Sequence, residues 1–239
     1  MLSLLIAVGQ FSDDFKMTSN CAESLDQICG ERLPALPGVR VRCAAIADHT
    51  AELSADEHDA FSKAVTRRRD EFSTGRWLAR RTMAELGLEA GSIARGEQRQ
   101  PIWPVGTTGS ITHADDIAAV AVSPADACRS VGIDLELWQR VTSDLHRKLF
   151  TQAELSRLSS QPEMAAGLIF SAKEAGYKAT YPLAGRFIGF HEAEIDVDWQ
   201  AGQFAIRYVG EHSQNAIMEQ GEGHFLIDGD YALSLFVIR

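Results

Sequence analysis

The sequence Val131-Gly132-Ile133-Asp134-Leu135-Glu136 begins with apolar residues and ends with two carboxylates. This pattern predicts a buried strand that runs out into polar surroundings. Because successive side chains of a strand point to opposite faces, Asp134 and Glu136 are expected on one face, with Leu135 pointing away. Two carboxylates on one face suit a hard cation such as Mg²⁺, whereas a strand end that meets solvent is the simpler interpretation of this pair alone.

A second stretch, Phe170-Ser171-Ala172-Lys173-Glu174-Ala175-Gly176-Tyr177-Lys178, has the pattern of a helix. Glu174 and Lys178 lie four residues apart and share one helix face, and Lys173 lies about a hundred degrees round from Glu174. Together with the strand, this helix could bring three carboxylates and two lysines into a site for Mg²⁺ and phosphate. A solvated helix face with a weak ion pair is the alternative interpretation.

Length and composition indicate a globular protein, and the order of the predicted strands and helices indicates the α+β class. The chain has 239 residues, of which 45% are hydrophobic, enough for one large domain or two of about 100–150 residues. A break at residues 123–127 predicts an N-terminal subdomain over residues 1–125 and a C-terminal subdomain over residues 126–239. Both segments mix predicted strands with predicted helices, so we expect two similar α/β subdomains, a duplication inferred from element order alone.

Individual elements follow from periodicity and turn residues. Strands are predicted near residues 39–47, 118–122, 130–137, 192–198, 204–209 and 231–238, and helical pattern over residues 54–86, 143–159 and 163–180. Residues 101–104 and 109–113 are predicted to be loops, and Gly221-Glu222-Gly223 a turn. The apolar residues 1–8 fall short of the roughly 18 residues that span a bilayer, so we interpret them as core and expect no membrane association.

Charge and cysteine usage narrow the range of functions. The net charge of −10 argues against general nucleic-acid binding, yet residues 63–99 carry nine lysines and arginines against five acids. Arg67-Arg68-Arg69 and Arg76, nearly on one helix face, indicate a specific anionic ligand or partner, against the alternative of a solvated helix face. The four cysteines show no metal-ligand spacing, which predicts free thiols in a reducing cytoplasm.

The segment Gly109-Ser110-Ile111-Thr112-His113 places two hydroxyls and an imidazole where they could meet an anion, with Arg95 shortly before it. The seven histidines have no zinc-ligand spacing, and the chain contains neither a phosphate-binding loop of the G-x-x-x-x-G-K-[ST] type nor G-x-G-x-x-G. Arginine suits phosphate oxygens, and a phosphate-bearing nucleotide needs several such donors.

These residues together resemble the 4'-phosphopantetheinyl transferase superfamily, in particular the enterobactin-synthetase type that activates carrier proteins of siderophore, peptide and polyketide synthesis. The resemblance covers most of the chain. It rests on five segments in order, namely Arg68-Arg69-Asp70-Glu71-Phe72 with Gly75-Arg76, Pro101-Ile102-Trp103-Pro104, residues 109–113, residues 131–136 and residues 170–178.

The resemblance implies a monomer of two similar α+β halves in a pseudo-twofold arrangement, with coenzyme A in the cleft between them. The implied Mg²⁺ ligands are Asp134, Glu136 and Glu174, and the sequence does not distinguish Mg²⁺ from Mn²⁺. The implied residues around coenzyme A are Arg68 and Arg76 at its 3'-phosphate, Arg95, His113, Lys173 and Lys178 at its pyrophosphate, and Thr112 near the ligand.

The implied reaction transfers the 4'-phosphopantetheine group of coenzyme A to a serine of an apo acyl or peptidyl carrier protein and releases 3',5'-ADP. Glu174 is the expected general base and Lys178 the residue that stabilises or protonates the leaving group, with His113 beside them. Two alternatives remain from the residues alone. One is a Mg²⁺-dependent nucleotide hydrolase or phosphotransferase that uses the same carboxylates, and the other is a nucleic-acid-associated protein that uses Arg67 to Arg81.

Overall fold

The computed structural model describes residues 19–59 and 65–239, and the predicted core segment 1–8 lies outside them. Helices and antiparallel sheets occur in both halves of the chain, which confirms the α+β class. Across the described residues, no helix is long and apolar enough to cross a membrane.

The described residues of the first half form three α-helices and five strands. They are α1 (Ser19–Arg32), β1 (Arg40–Ala45), α2 (Ala55–Asp59), α3 (Thr66–Glu85), β2 (Ala94–Arg95), β3 (Pro101–Ile102), β4 (Thr107–Ala114) and β5 (Ile117–Pro124). Strands β1, β5 and β4 form an antiparallel sheet in that order, and β2 pairs with β3 in a separate two-stranded ribbon. Helix α3 covers the sheet because its apolar residues Phe72, Leu78, Ala79 and Met83 are buried.

The second half contains a larger sheet and three helices. They are β6 (Ser130–Leu137), α4 (His146–Leu149), α5 (Gln152–Leu158), α6 (Ala165–Ala184), β7 (Ala193–Asp198), β8 (Gln203–Tyr208), β9 (Gly221–Asp228) and β10 (Tyr231–Ile238). The sheet order is β6-β10-β9-β8-β7, antiparallel throughout. Helix α6 lies on this sheet with its apolar face in a core that includes Leu168, Ala172 and Phe236.

Close packing of α6 on β6 depends on a glycine. A Cβ atom on Gly132 would collide with the carbonyl oxygen of Ala175 and would lie 2.7 Å from the amide nitrogen of Ala179. Both of those atoms belong to the backbone of α6. The missing side chain therefore lets the helix lie directly on the strand, two residues before Asp134.

Three local predictions were wrong. Residues 109–113 belong to β4, where every residue from Thr107 to Ala114 pairs with β5 and burial alternates towards the end of the strand. Small polar side chains are typical of loops, but the backbone groups of these residues are hydrogen-bonded within the sheet. Gly221-Glu222-Gly223 is the start of β9, where Gly223 pairs with both β8 and β10, and Pro101–Ile102 forms β3. Helix α1 was not predicted.

Candidate active site

Asp134 lies at the centre of a group of side chains from three elements. Its Oδ1 accepts hydrogen bonds from Lys178 Nζ at 2.6 Å and from Thr112 Oγ1 at 3.2 Å. Lys178 also donates to the carbonyl oxygen of Ile133 at 3.1 Å. The structure therefore brings β4, β6 and α6 together at one carboxylate. The other oxygen of Asp134, Oδ2, is buried and has no hydrogen-bond partner in the described part of the chain.

Glu136 and Glu174 stand in the electrostatic field of Asp134. The pKa of Glu136 is raised to about 7, chiefly by burial and then by the charge of Asp134. The pKa of Glu174 is also raised to about 7 for the same two reasons, while Lys178 lowers it. Nearby carboxylates that resist losing their protons are typical of a site that receives a cation or a proton.

His113 connects the acidic group with the arginines of α3. Its Nε2 lies 3.1 Å from Arg68 Nη1 and 3.6 Å from Glu71 Oε2. Because a guanidinium can only donate, Nε2 accepts and the ring proton lies on Nδ1. Burial lowers the pKa of His113, and this outweighs the opposing effect of Glu71; the positive charges of Arg68 and Lys178 lower it further. The imidazole is therefore neutral here, and Glu71, which sequence reasoning did not single out, holds Arg68 beside it at 3.2 Å.

Arg76 is buried among other arginines. Its guanidinium lies 3.5 Å from the centre of the Phe72 ring, and its Nε donates to the carbonyl oxygen of Ile93. Burial lowers the pKa of Arg76 to about 9, with smaller lowering by Arg95, Arg68 and Arg80. The pKa of Arg95 is likewise lowered by burial and by nearby Arg99 and Arg68. We call Arg68, Arg76 and Arg95 the arginine cluster, and its mutual repulsion makes a bound anion favourable.

A fully buried carboxylate supports the arginine cluster and was not predicted. Glu57 accepts from Arg80 Nη1 and from the amide nitrogen of Ile93, each at 2.9 Å. It also accepts from the amide nitrogen of Ser54 at 2.9 Å. The carbonyl oxygen of Ile93 accepts a hydrogen bond from Arg76. By holding Ile93, Glu57 therefore fixes the segment that carries Arg95. The only sequence signal was the spacing Ser54-x-x-Glu57, which is common at helix starts.

Lys173 lies apart from this group. Its ammonium donates to the carbonyl oxygens of Leu149 and Phe190 and to Glu154, and its side chain is only 2% exposed. Among the described residues assigned from the sequence, Thr112, Asp134 and Lys178 contact one another and His113 contacts Arg68, whereas Lys173 points into the core of the second half.

An apolar cavity of about 230 Å³ opens beside Glu174. Helix α6 forms the wall that carries the Glu174 carboxylate, and residues 187–190, which follow the helix, form the opposite wall. Phe187 stands over this cavity, 55% exposed, with its ring against Tyr177. The cavity offers room for a largely uncharged part of a ligand next to a carboxylate.

The site thus combines an arginine cluster, whose charges suit an anionic ligand, with a carboxylate–lysine group on β6 and α6. Residues 56–123 match the N-terminal domain of 4'-phosphopantetheinyl transferases, and residues 130–236 match the 4'-phosphopantetheinyl transferase superfamily. The chain belongs to this superfamily.

Named relatives agree with this assignment. The chain is 38% identical to 4'-phosphopantetheinyl transferase Npt of Nocardia iowensis over 62% of this chain and 67% of that protein. It is 35% identical to PptT of Mycobacterium tuberculosis over 64% and 69% of the two chains. It is 34% identical to enterobactin synthase component D of Escherichia coli K12 over 61% and 69%. A solved complex of ACPS with CoA from Chronobacterium ammoniagenes matches with a TM-score of 0.37 at 24% identity, covering 46% of this chain and 95% of that one.

Proposed function

We propose that this chain transfers the 4'-phosphopantetheine group of coenzyme A to a serine of an apo acyl or peptidyl carrier protein, with release of 3',5'-ADP. The observation that carries the proposal is the hydrogen-bonded group of Thr112, Asp134 and Lys178 beside Glu174. This group lies next to His113 and the arginine cluster. A ligand with phosphates at both ends of a nucleotide requires basic groups at two neighbouring places of this kind.

The arginine cluster is proposed to bind the 3'-phosphate end of coenzyme A. Arg68 and Arg76 have the planar donors that suit phosphate oxygens. Burial is the main cause of the lowered pKa of Arg76, and the repulsion from Arg95 and Arg68 that adds to it is relieved when an anion binds. Arg95 and His113 are assigned to the pyrophosphate. Lys178 joins them because Asp134 and the carbonyl of Ile133 use two of its three ammonium protons in the described structure.

Glu174 is the proposed general base. With its pKa raised to about 7, its carboxylate can take the proton of the serine hydroxyl near neutral pH. The serine oxygen then forms a bond to the β-phosphorus, and the bond from that phosphorus to the bridging oxygen of 3',5'-ADP breaks. Lys178 stabilises the negative charge that develops on the departing oxygen. Thr112 orients Asp134 and thereby Lys178.

The donor set fits Mg²⁺. Within the described residues no three His, Cys, Asp or Glu side chains form a group that could hold a metal ion by themselves, but Mg²⁺ commonly keeps waters and phosphate oxygens beside one or two carboxylates. The buried, unpartnered Oδ2 of Asp134 is a ready ligand, with Glu136 and Glu174 beside it. When bound, the ion would neutralise charge on the pyrophosphate, and we propose these three residues as its holders.

The cavity beside Glu174 suits the pantetheine arm, which carries no charge and is the part of coenzyme A that is transferred. Phe187, Ile188 and Tyr177 supply apolar surface next to the proposed base. Such surface would hold the arm at the end of the site where the serine arrives.

We further propose that residues 1–125 and 126–239 act as two subdomains that share the site. The first would supply the arginine cluster and His113, and the second the carboxylates and Lys178. The protein is proposed to work as a monomer. A cytoplasmic location is proposed because its four cysteines are free.

Mass spectrometry of apo carrier proteins incubated with this protein, coenzyme A and Mg²⁺ tests the proposed function. The expected result is a carrier that gains the phosphopantetheine mass, together with free 3',5'-ADP. Release of 3',5'-ADP with no modified carrier would point instead to a hydrolase. No reaction with acyl or peptidyl carriers of siderophore, polyketide and peptide pathways would contradict the proposal.

Replacing Arg76 by methionine should weaken coenzyme A binding. Loss of a charge-assisted contact to phosphate costs roughly 2 kcal/mol, or about 30-fold in Kd, whereas KM for the carrier protein should stay within about twofold. Isothermal titration with coenzyme A measures the effect. Arg81→Met is the matched control, because it removes the same charge from the exposed side of the same helix. Equal affinities of the two variants would contradict the assignment of Arg76.

A further inference from the structure

Lys173 and Glu154 form a buried ion pair outside the group described above. Lys173 Nζ lies 2.6 Å from Glu154 Oε2, with the two side chains 2% and 1% exposed. Burial lowers the pKa of Lys173, and the charge and hydrogen bond of Glu154 oppose that shift. A charge buried this deeply persists only where partners replace its lost water.

The hydrogen-bonding capacity of Lys173 is used within the protein. Its ammonium donates to the carbonyl oxygens of Leu149 at 3.0 Å and Phe190 at 2.6 Å in addition to Glu154. An ammonium group has three protons, and here each has an acceptor. No donor is left for a phosphate oxygen of coenzyme A.

Glu154 is equally committed to protein partners. It accepts from the amide nitrogen of Thr151 at 2.9 Å and from that of Ile195 at 3.0 Å. The pair therefore ties α6 to the end of α4, the start of α5, the short 3₁₀ helix Phe190–Glu192 and strand β7. These contacts hold together segments that are far apart in the sequence.

The location of the pair connects it with the reaction. Lys173 directly precedes Glu174 in α6, and the carbonyl that it holds belongs to Phe190, which lines the cavity beside Glu174. The rings of Phe170 and Phe190 also meet, with centroids 5.6 Å apart. One ammonium thus fixes both the helix that carries the proposed base and the facing wall of the cavity.

The first half of the chain contains the same arrangement around Glu57. That buried carboxylate accepts from the amide nitrogens of Ser54 and Ile93 and from Arg80 of α3. In both halves a buried glutamate near a helix start therefore binds a basic side chain of the long helix. The recurrence favours a role in the architecture over contact with a ligand present on one side only.

We propose that Lys173 and Glu154 are positioning residues, which set the distance between Glu174 and the cavity wall at residues 187–190, and that the ammonium of Lys173 does not bind the phosphates of coenzyme A. This inference rests on the proposed function for its link to catalysis. It replaces the assignment of Lys173 to the pyrophosphate that the resemblance implied.

The test compares Lys173→Met, Glu154→Gln and the double variant Lys173→Met/Glu154→Gln. Lys173→Met alone leaves a buried, unpaired carboxylate and should be the least stable of the three, whereas the neutral double variant should recover thermal stability. At temperatures where each variant is folded, the double variant should bind coenzyme A within about twofold of the wild type by titration calorimetry. Its kcat should fall at least about tenfold, because Glu174 and the cavity wall are no longer held together.

The matched control is Arg157→Met/Asp196→Asn, which removes an exposed ion pair between α5 and β7 and should leave kcat unchanged. Coenzyme A affinity at least tenfold weaker in every Lys173 variant would overturn the proposal, since it would place the ammonium on the ligand. A kcat per folded molecule equal to that of the wild type would also overturn it, because the pair would then be merely structural.

Hydrogen–deuterium exchange separates failure of this inference from failure of the proposed function. Backbone amides at residues 187–193 should exchange faster in the double variant than in the wild type, with α1 and β1 unchanged, whether or not a carrier protein is modified. An inactive wild type would refute the transferase assignment alone. Unchanged exchange at residues 187–193 would refute the positioning role alone.

Discussion

Replacing Glu174 by glutamine is expected to reduce the rate of phosphopantetheine transfer by roughly 10²- to 10⁴-fold, the usual worth of a general base, and to leave the protein folded. Glutamine has nearly the same shape but cannot take a proton from serine. The raised pKa of Glu174 shows that burial already disfavours its charged form, so a neutral side chain should not destabilise the helix. Single-turnover transfer to an apo carrier measures the effect.

Asp134→Ala should have a comparable effect for a different reason. It removes the acceptor shared by Lys178 and Thr112 and the buried oxygen that we propose as a metal ligand. Glu89→Gln, which removes one carboxylate from an exposed position after α3, is the control for net charge. Near-normal turnover in the Glu174 or Asp134 variant would show that the reaction is carried out elsewhere.

Replacing Gly132 by alanine is expected to destabilise the protein by at least about 3 kcal/mol, at the upper end of what overpacking costs. The added methyl group would collide with the carbonyl of Ala175 and crowd the amide of Ala179. Because both are backbone atoms inside α6, no change of side-chain rotamer relieves the clash. The helix must move away from β6, which would also separate Lys178 from Asp134.

Chemical denaturation of the purified variant measures this loss. Gly30→Ala is the control, because a Cβ atom at Gly30 would meet no atom within 4 Å and alanine favours a helix over glycine by roughly 0.5–1 kcal/mol. A Gly132→Ala protein with wild-type stability would mean that α6 and β6 are not packed as described.

The centre of the site could be predicted from the sequence because it depends on local periodicity. Strand alternation places Asp134 and Glu136 on one face, and the helical spacing of Glu174 and Lys178 places both on one side of α6. The structure adds what periodicity cannot express, namely that Thr112 of another strand reaches Asp134.

Lys173 shows why other parts of the site could not be predicted from the sequence. In the sequence it is a basic residue next to the site, and nothing local distinguishes a lysine that reaches phosphate from one that points into the core. The orientation of the Lys173 side chain depends on hydrogen-bond acceptors at residues 149, 154 and 190, which only the tertiary fold brings together. His113 was likewise placed on a loop, because small polar residues resemble a turn until their pairing with β5 is known.

The two buried glutamates bear on how the two halves of the chain arose. Glu57 and Glu154 each stand three positions after a serine or threonine and accept a hydrogen bond from the amide nitrogen of that residue. Each also accepts a hydrogen bond from a second amide nitrogen farther along the chain. Each binds a basic side chain of a 20-residue helix. The sequences around them show no residue-by-residue repeat. Descent of both halves from one duplicated ancestral unit would produce this correspondence between buried side chains without leaving a repeat in the sequence.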